Sequence, residues 1–166
     1  MRRFAFYFLK TLSIICKAFS HKLYMRLIVK AHKTNGVNIV GKPAYIDYSA
    51  YIDPSGGLTI NEGCGISVNA IILTHDWSFL RRYRARNITP PGGYSFENQA
   101  FKPVFIGEYS LIGAGAIVLP GSKIGKYCLI GSGAVVKGTV DDYSIIIGNP
   151  ARKIGDVRDP KYKLVE

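Results

Sequence analysis

A chain of 166 residues is long enough for one domain whose core needs no disulfide or metal staple. With 48% hydrophobic and only 20% charged residues it is too apolar for a disordered polymer, and its 18 glycines point to many turns or close backbone approaches. The net charge of +11, from 22 bases against 11 acids, excludes an acidic solvating chain but leaves nucleic acid, anionic lipid and phosphorylated ligands open as partners.

The charge is unevenly placed. Arg2, Arg3, Lys10, Lys17, Lys22, Arg26, Lys30, Lys33 and Lys42 all precede the first acid, Asp47, and beyond it bases and acids nearly balance. Residues 1–36 read as a basic amphipathic helical segment: no Gly or Pro lies between Arg3 and Lys33, and Arg3, Lys10, Ser13, Lys17 and Ser20 recur at helical steps along one side. The other side is broad and apolar. Such a helix suits packing on its own domain or on sister subunits, and equally a membrane interface. Lys10 interrupts "FAFYFLKTLSIICKAF" and no small-residue cleavage site follows, which argues against a spanning or exported segment. Cys16, Cys64 and Cys128 are odd in number and far apart, so they read as buried thiols of a reducing, cytoplasmic compartment.

After "NGVN" the period changes. Ile106, Ile112, Val118, Ile124, Ile130 and Val136 are spaced by six, and a compact residue follows each of the first five by four: Ser110, Ala116, Ser122, Cys128 and Ala134. Neither a 3.6-residue helix nor a simple two-residue alternation holds that spacing on one face. Short strands joined by regular turns do, which predicts an all-β solenoid over residues 37–154. A weaker version begins at Val40, Ile46 and Ile52, slips through "DPSGG", and resumes at Ile60, Ile66 and Ile72. The interval from Ile72 to Ile106 is not a multiple of six, so residues 76–103 are expected to loop out. Residues 155–166 are left as a C-terminal tail.

His75 is the only histidine within the repeats, at the end of a coil beside the one insertion, where functional residues tend to gather. Trp77 could stack on a ligand face or anchor the loop. Arg81, Arg82, Arg84 and Arg86 with Tyr83 form a basic cluster that is either a solvated charge run or a phosphate grip.

The stretches "VFIGEYSLIGAGAIVLPGSKIGKYCLIGSGAVV" and "IIIGNPARKIG" resemble the hexapeptide-repeat acyltransferases, in the branch with galactoside, maltose and polysaccharide O-acetyltransferases. The resemblance runs from about Val37 to Ile154. It implies a left-handed parallel β-helix with three hexapeptides per turn, a homotrimer with active sites between subunits, and acetyl-CoA as co-substrate without a metal. It matches the family's catalytic histidine to His75 within Thr74-His75. Acyl transfer from an already activated thioester to a hydroxyl then needs little beyond a base, so direct attack is expected without an acyl-enzyme. The resemblance puts Asp47 and Asp53 where acceptor hydroxyls are held, exposed turn acids being the alternative; Trp77 is a further acceptor candidate, and Asp76 either orients His75 or caps the loop. It carries the pantetheine contact to Ala114 and Ser132, supported by Gly113, Gly131 and Gly133, and the phosphate contacts to Lys137, Arg152 and Lys153. Lys137 stands one place earlier than the family pattern, and Leu111 replaces a common tryptophan.

The expected activity is acetylation of a sugar hydroxyl in cell-surface polysaccharide biosynthesis, in the cytoplasm and at the inner face of the cytoplasmic membrane if the helix binds there. A small soluble acceptor (sugar, serine or antibiotic) is the runner-up. A zinc hydratase resembling γ-type carbonic anhydrases needs three protein ligands, and His75 has no second histidine near it in sequence. A noncatalytic basic solenoid is the remaining class, and no nucleic-acid-binding signature accompanies the charge.

Overall fold

The computed structural model describes residues 1–90 and 100–162. The N-terminal segment is two helices, α1 (Arg2–Lys17) and α2 (His21–Thr34), where the sequence suggested one. The break is local chemistry: Ser20 is extended, its hydroxyl accepts from the Leu23 amide at 3.3 Å, and it thereby caps α2. α2 closes the open end of the solenoid. Tyr24 and Ile28 are fully buried in its core, and the Tyr24 hydroxyl donates to the Ile46 carbonyl at 2.5 Å.

α1 packs on α2 through Phe6, which meets the His32 ring, together with part of its polar side. Ser13 is buried, Lys10 is half-buried, and Lys17 reaches Asp47 at 3.4 Å. The apolar side, Phe4, Phe8, Ile15 and Phe19, faces outward, with Phe4 78% and Phe19 86% exposed. This inverts the usual arrangement of an amphipathic helix on a core.

The solenoid is built from strands of two or three residues, lengthening only in the last two. The first coil is β1 (Asn38–Ile39), β2 (Tyr45–Ile46) and β3 (Tyr51–Ile52); the second is β4 (Leu58–Ile60), β5 (Gly65–Ile66) and β6 (Ile71–Ile72). After an excursion come β9 (Val104–Ile106), β10 (Leu111–Ile112) and β11 (Ile117–Val118), then β12 (Lys123–Ile124), β13 (Leu129–Ile130) and β14 (Val135–Val136). β15 (Thr139–Val140), β16 (Ser144–Ile147) and β17 (Arg152–Asp156) end it. Each third strand stacks in parallel on one of three faces: β1-β4-β9-β12-β15, β2-β5-β10-β13-β16, and β3-β6-β11-β14.

The register keeps like over like. Ile66 pairs with Ile112 and Ile112 with Ile130, while Ile60 pairs with Ile106 and Ile106 with Ile124. Each of these isoleucines is at most 1% exposed. Burying one contributes roughly 1.5–3 kcal/mol, so the aliphatic columns dominate stability. The compact positions Ser110, Ala116, Ser122, Cys128 and Ala134 are buried at the corners.

The early repeat begins at Ile39, not Val40: Ile39 is buried and registers with Ile60, while Val40 is exposed. The corner through Gly41 and Pro43 carries one residue more than a six-residue unit. Cys64 and Cys128 are buried free thiols, whereas Cys16 is only half-buried. β17 turns back antiparallel on β16, so the boundary drawn at residue 154 falls inside a strand. Near this end Tyr109, Tyr127 and Tyr143 adopt left-handed backbone conformations at successive corners. Their rings stack at 5.2 and 5.3 Å, and the Arg158 guanidinium sits 4.0 Å from the last ring centroid.

Candidate active site

The excursion after β6 opens with β7 (His75–Asp76), which pairs antiparallel with β8 (Ala100–Phe101), and carries α3 (Ser78–Ala85). Residues 91–99 of the predicted loop lie outside the described residues. The two-strand base fixes His75 at the end of the second coil. Directly beneath it in the first coil is Asp53, because Ile52 registers with Ile72 and the Asp53 amide donates to the Ile72 carbonyl at 3.0 Å.

His75 Nδ1 lies 2.7 Å from Asp53 Oδ2 and 3.2 Å from Ser55 Oγ. The same Oδ2 accepts from the Thr74 amide at 2.9 Å and the Thr74 hydroxyl at 2.7 Å. The other oxygen, Oδ1, accepts from the Ser55 amide at 2.9 Å and the Ser55 hydroxyl at 2.6 Å. Burial pushes the Asp53 carboxyl upward, but the bonds from Ser55 and Thr74 outweigh it and hold the group well below the usual carboxylate range. An anionic carboxylate on Nδ1 favours the tautomer that carries the proton there and leaves Nε2 free to accept one. His75 is 25% exposed against 6% for Asp53, so the base reaches solvent while its orienting partner does not.

The sequence suggested Asp53 for the acceptor; in the structure its carboxylate bonds His75, Ser55 and Thr74. The signal was present: "IDYS" and "IDPS" repeat an aspartate two residues before a serine, and Asp53 and His75 follow registered isoleucines. The candidate orienting group Asp76 does not touch His75; it accepts from the Ser78 amide at 2.7 Å and pairs with Arg82 at 3.2 Å, fixing the start of α3. Trp77 is 37% exposed with its ring 6.3 Å from the His75 ring, edge-on.

Asp47 stands at a different corner and is not brought to His75. It is 5% exposed and accepts from the Ser49 amide at 2.9 Å, the Ser49 hydroxyl at 2.6 Å, the Tyr45 hydroxyl and Lys17. Burial raises its pKa, yet those bonds prevail and bring it down to about 2. Its visible work is to tie α1 to the first coil.

On the donor side, Ala114 and Ser132 occupy one corner in successive coils, joined by the Gly133 amide donating to the Ala114 carbonyl at 2.9 Å. Beside them Gly115 and Gly133 have left-handed backbones with open space where a side chain would be. Lys137 and Lys153 are brought together around a cavity of about 190 Å³ that also receives Ser144, whose buried hydroxyl has no partner among the described residues. Arg152 lies next to Lys153 on β17 and does not line that cavity. Among the described residues no cluster of three His, Cys, Asp or Glu side chains could hold a metal ion.

Residues 103–138 match the family model described as bacterial transferase hexapeptide (six repeats). The chain is 38% identical over 131 residues to Nodulation protein L of Rhizobium leguminosarum bv. viciae, covering 78% of this chain and 64% of that one, which is less than two thirds of the relative's length. In fold it is similar to a maltose O-acetyltransferase from Clostridium difficile 630, at a TM-score of 0.56 and 20% identity over 93% of this chain and 87% of the other. A galactoside acetyltransferase solved in complex with coenzyme A gives a TM-score of 0.54 and 18% identity, covering 95% of this chain and 84% of that one. The bacterial transferase hexapeptide repeat matched at residues 103–138 is thus the unit from which β9 to β14 stack on the three faces of the solenoid.

Proposed function

We propose that the protein is an acetyl-CoA-dependent O-acetyltransferase acting on a sugar hydroxyl, on a left-handed coil assembled as a homotrimer. The observation that carries this reading is the Asp53–His75 pair: a carboxylate fixes Nδ1 of a part-exposed imidazole and, among the described residues, leaves Nε2 available to accept a proton. Nε2 takes the proton of the acceptor hydroxyl as its oxygen attacks the thioester carbonyl. The carbon–sulfur bond breaks, the acetyl group stays on oxygen, and the imidazolium returns the proton to the departing thiolate. Asp53 stabilises that imidazolium by charge and keeps its ring aimed. Trp77 stands beside the ring as a wall of the acceptor site.

The donor fits the residues present. A pantetheine arm suits the open corner at Ala114 and Ser132, and the cavity between Lys137 and Lys153 suits its phosphates. When bound, the donor supplies the activated acyl group; the chain supplies the base and the alignment. Incubating purified protein with acetyl-CoA and a panel of free, phosphorylated and lipid-linked sugars, with release of the CoA thiol and ester formation as readouts, tests the reading. Acetyl appearing on amines alone would exclude it.

The trimer is supported by outward apolar rows. Leu111 and Leu129 follow one another on one face, each about two-fifths exposed, and Ile71, Ile117 and Val135 do so on another. Changing Leu111 and Leu129 together to Asp is expected to convert a trimer to monomers by light scattering; an unchanged mass would remove that face from the interface.

The outward aromatic side of α1, on a segment with no acid before Asp47, supports docking at an anionic membrane surface near polysaccharide synthesis. No described helix is long and apolar enough to cross a membrane. Vesicles containing anionic lipid are expected to sediment the protein, and Phe4→Ser with Phe8→Ser to abolish this. Retained sedimentation, or these changes dissolving the trimer instead, would assign the face elsewhere.

A further inference from the structure

The inward polar side of α1 needs a reason, because a helix gains little by burying lysine and exposing phenylalanine. A cavity of about 620 Å³ lies under it, between α1, α2 and the first coil. Arg3 and Lys10 of α1 stand on one side, His32 of α2 behind, and Asp53 and Ser55 of the first coil in the wall. The last two are the groups that contact His75 Nδ1, so the cavity adjoins the candidate active site.

His32 is 1% exposed, and among the described residues neither ring nitrogen has a hydrogen-bond partner. A buried, unsatisfied imidazole costs stability unless something fills the space beside it. Among the described residues, no carboxylate lies within ion-pair distance of Arg3 or Lys10. Burial lowers the Lys10 pKa, and the nearest opposing influence, Asp47, is engaged by Lys17, Tyr45 and Ser49. The Asp53 oxygens in the wall are likewise taken by Ser55, Thr74 and His75. Lys10 lies over the Phe6 ring at 5.7 Å and the His32 ring packs on the same phenyl at 5.5 Å, so among the described residues the cavity presents two cations without a carboxylate partner and an imidazole without a hydrogen-bond partner to whatever enters.

We infer that this cavity binds a phosphoryl group carried by the acceptor sugar, with Arg3 and Lys10 pairing its oxygens and His32 completing the cradle. The inference rests on the acetyltransferase reading and adds to it the acceptor's chemical class. Two cations match the charge of a phosphomonoester or a pyrophosphate diester, about −1.5 to −2, better than that of one carboxylate. The volume exceeds a single phosphate and leaves room for attached sugar beside Asp53 and Ser55. A sugar phosphate or nucleotide sugar and a lipid-linked pyrophosphate sugar share this chemistry.

The test begins with binding, which does not depend on turnover. Inorganic pyrophosphate is titrated calorimetrically into the full chain saturated with coenzyme A, so that the donor's own phosphate contacts are filled. Saturable binding is expected, weakened about tenfold or more by Arg3→Gln or Lys10→Gln, and unchanged by Lys30→Gln, which removes the same charge from an exposed site outside the cavity. His32→Leu is expected to weaken binding while keeping or raising the melting temperature, since it removes buried groups that lack partners. Absence of binding by the parent chain, or equal weakening by Lys30→Gln and Lys10→Gln, would overturn the inference. The second arm compares acetyl transfer to one sugar offered free, as its 1-phosphate, and as a polyprenyl pyrophosphate in vesicles. Preference for either phosphorylated form supports the site and identifies its source. Equal transfer to the free sugar overturns the site and leaves the acetyltransferase reading standing, whereas pyrophosphate binding with no transfer to any sugar overturns that reading, and with it the acceptor's identity, while the phosphoryl site itself remains.

Discussion

His75→Ala is expected to lower kcat by roughly 10²-fold or more while coenzyme A binding and the melting temperature stay near the parent values. The imidazole is part-exposed and contributes nothing to the aliphatic columns, so its loss removes a proton acceptor without opening the core. Asp53→Asn should approach the same loss, because an amide keeps the shape but no longer compensates an imidazolium and can present its NH₂ to Nδ1, favouring the wrong tautomer. The two residues act as one unit, so the double variant should be little worse than His75→Ala alone. Single-turnover acetyl transfer measures all three. Near-normal rates for His75→Ala would remove the base from the mechanism, and additive losses would mean that Asp53 works on something other than His75.

The second large effect is on stability. A Cβ built on Gly113 would meet the Ile130 carbonyl oxygen at 2.6 Å and the Ser132 amide nitrogen at 2.7 Å, both backbone atoms of the next coil. Those atoms belong to the ladder itself, where the Gly113 amide donates to the Ile130 carbonyl at 2.8 Å, and cannot swing aside as a side chain would. Gly113→Ala must part β10 from β13, and a loss of about 3 kcal/mol or more is expected in urea unfolding. Gly115, two residues on, is the contrast: its backbone is left-handed but nothing stands within 4 Å of the added carbon. Gly115→Ala should cost only the conformational penalty, about 1 kcal/mol. Similar losses at both positions would mean that coil spacing adjusts freely.

The regular coils were legible because their signal is one-dimensional: six-residue spacing places Ile112, Ile130 and their neighbours on one inward column whatever the rest of the chain does. The same logic failed where a corner changes length. Ile39 and Val40 exchange roles because one added residue at Gly41–Pro43 shifts the phase, and composition alone does not count corner residues. The helix break at Ser20 was readable as a cap, but an unbroken apolar stripe masked it. For the site, His75 stood out as a lone histidine at an insertion. The bond between Asp53 and His75 was not legible because coils stack in space what the chain separates, and the contact exists only once Ile52 and Ile72 are in register. The half-buried position of Lys10 depends on tertiary packing that helical periodicity leaves undetermined.

That vertical pairing constrains how such a chain can lengthen or shorten over generations. A whole turn duplicated or deleted beyond Lys102 would leave Asp53 and His75 neighbours, since each added storey repeats the same three-sided outline. The same event between them would lift the ring a full storey off its carboxylate, so the interval from 53 to 75 is the one stretch of the repeat whose length chemistry itself holds fixed.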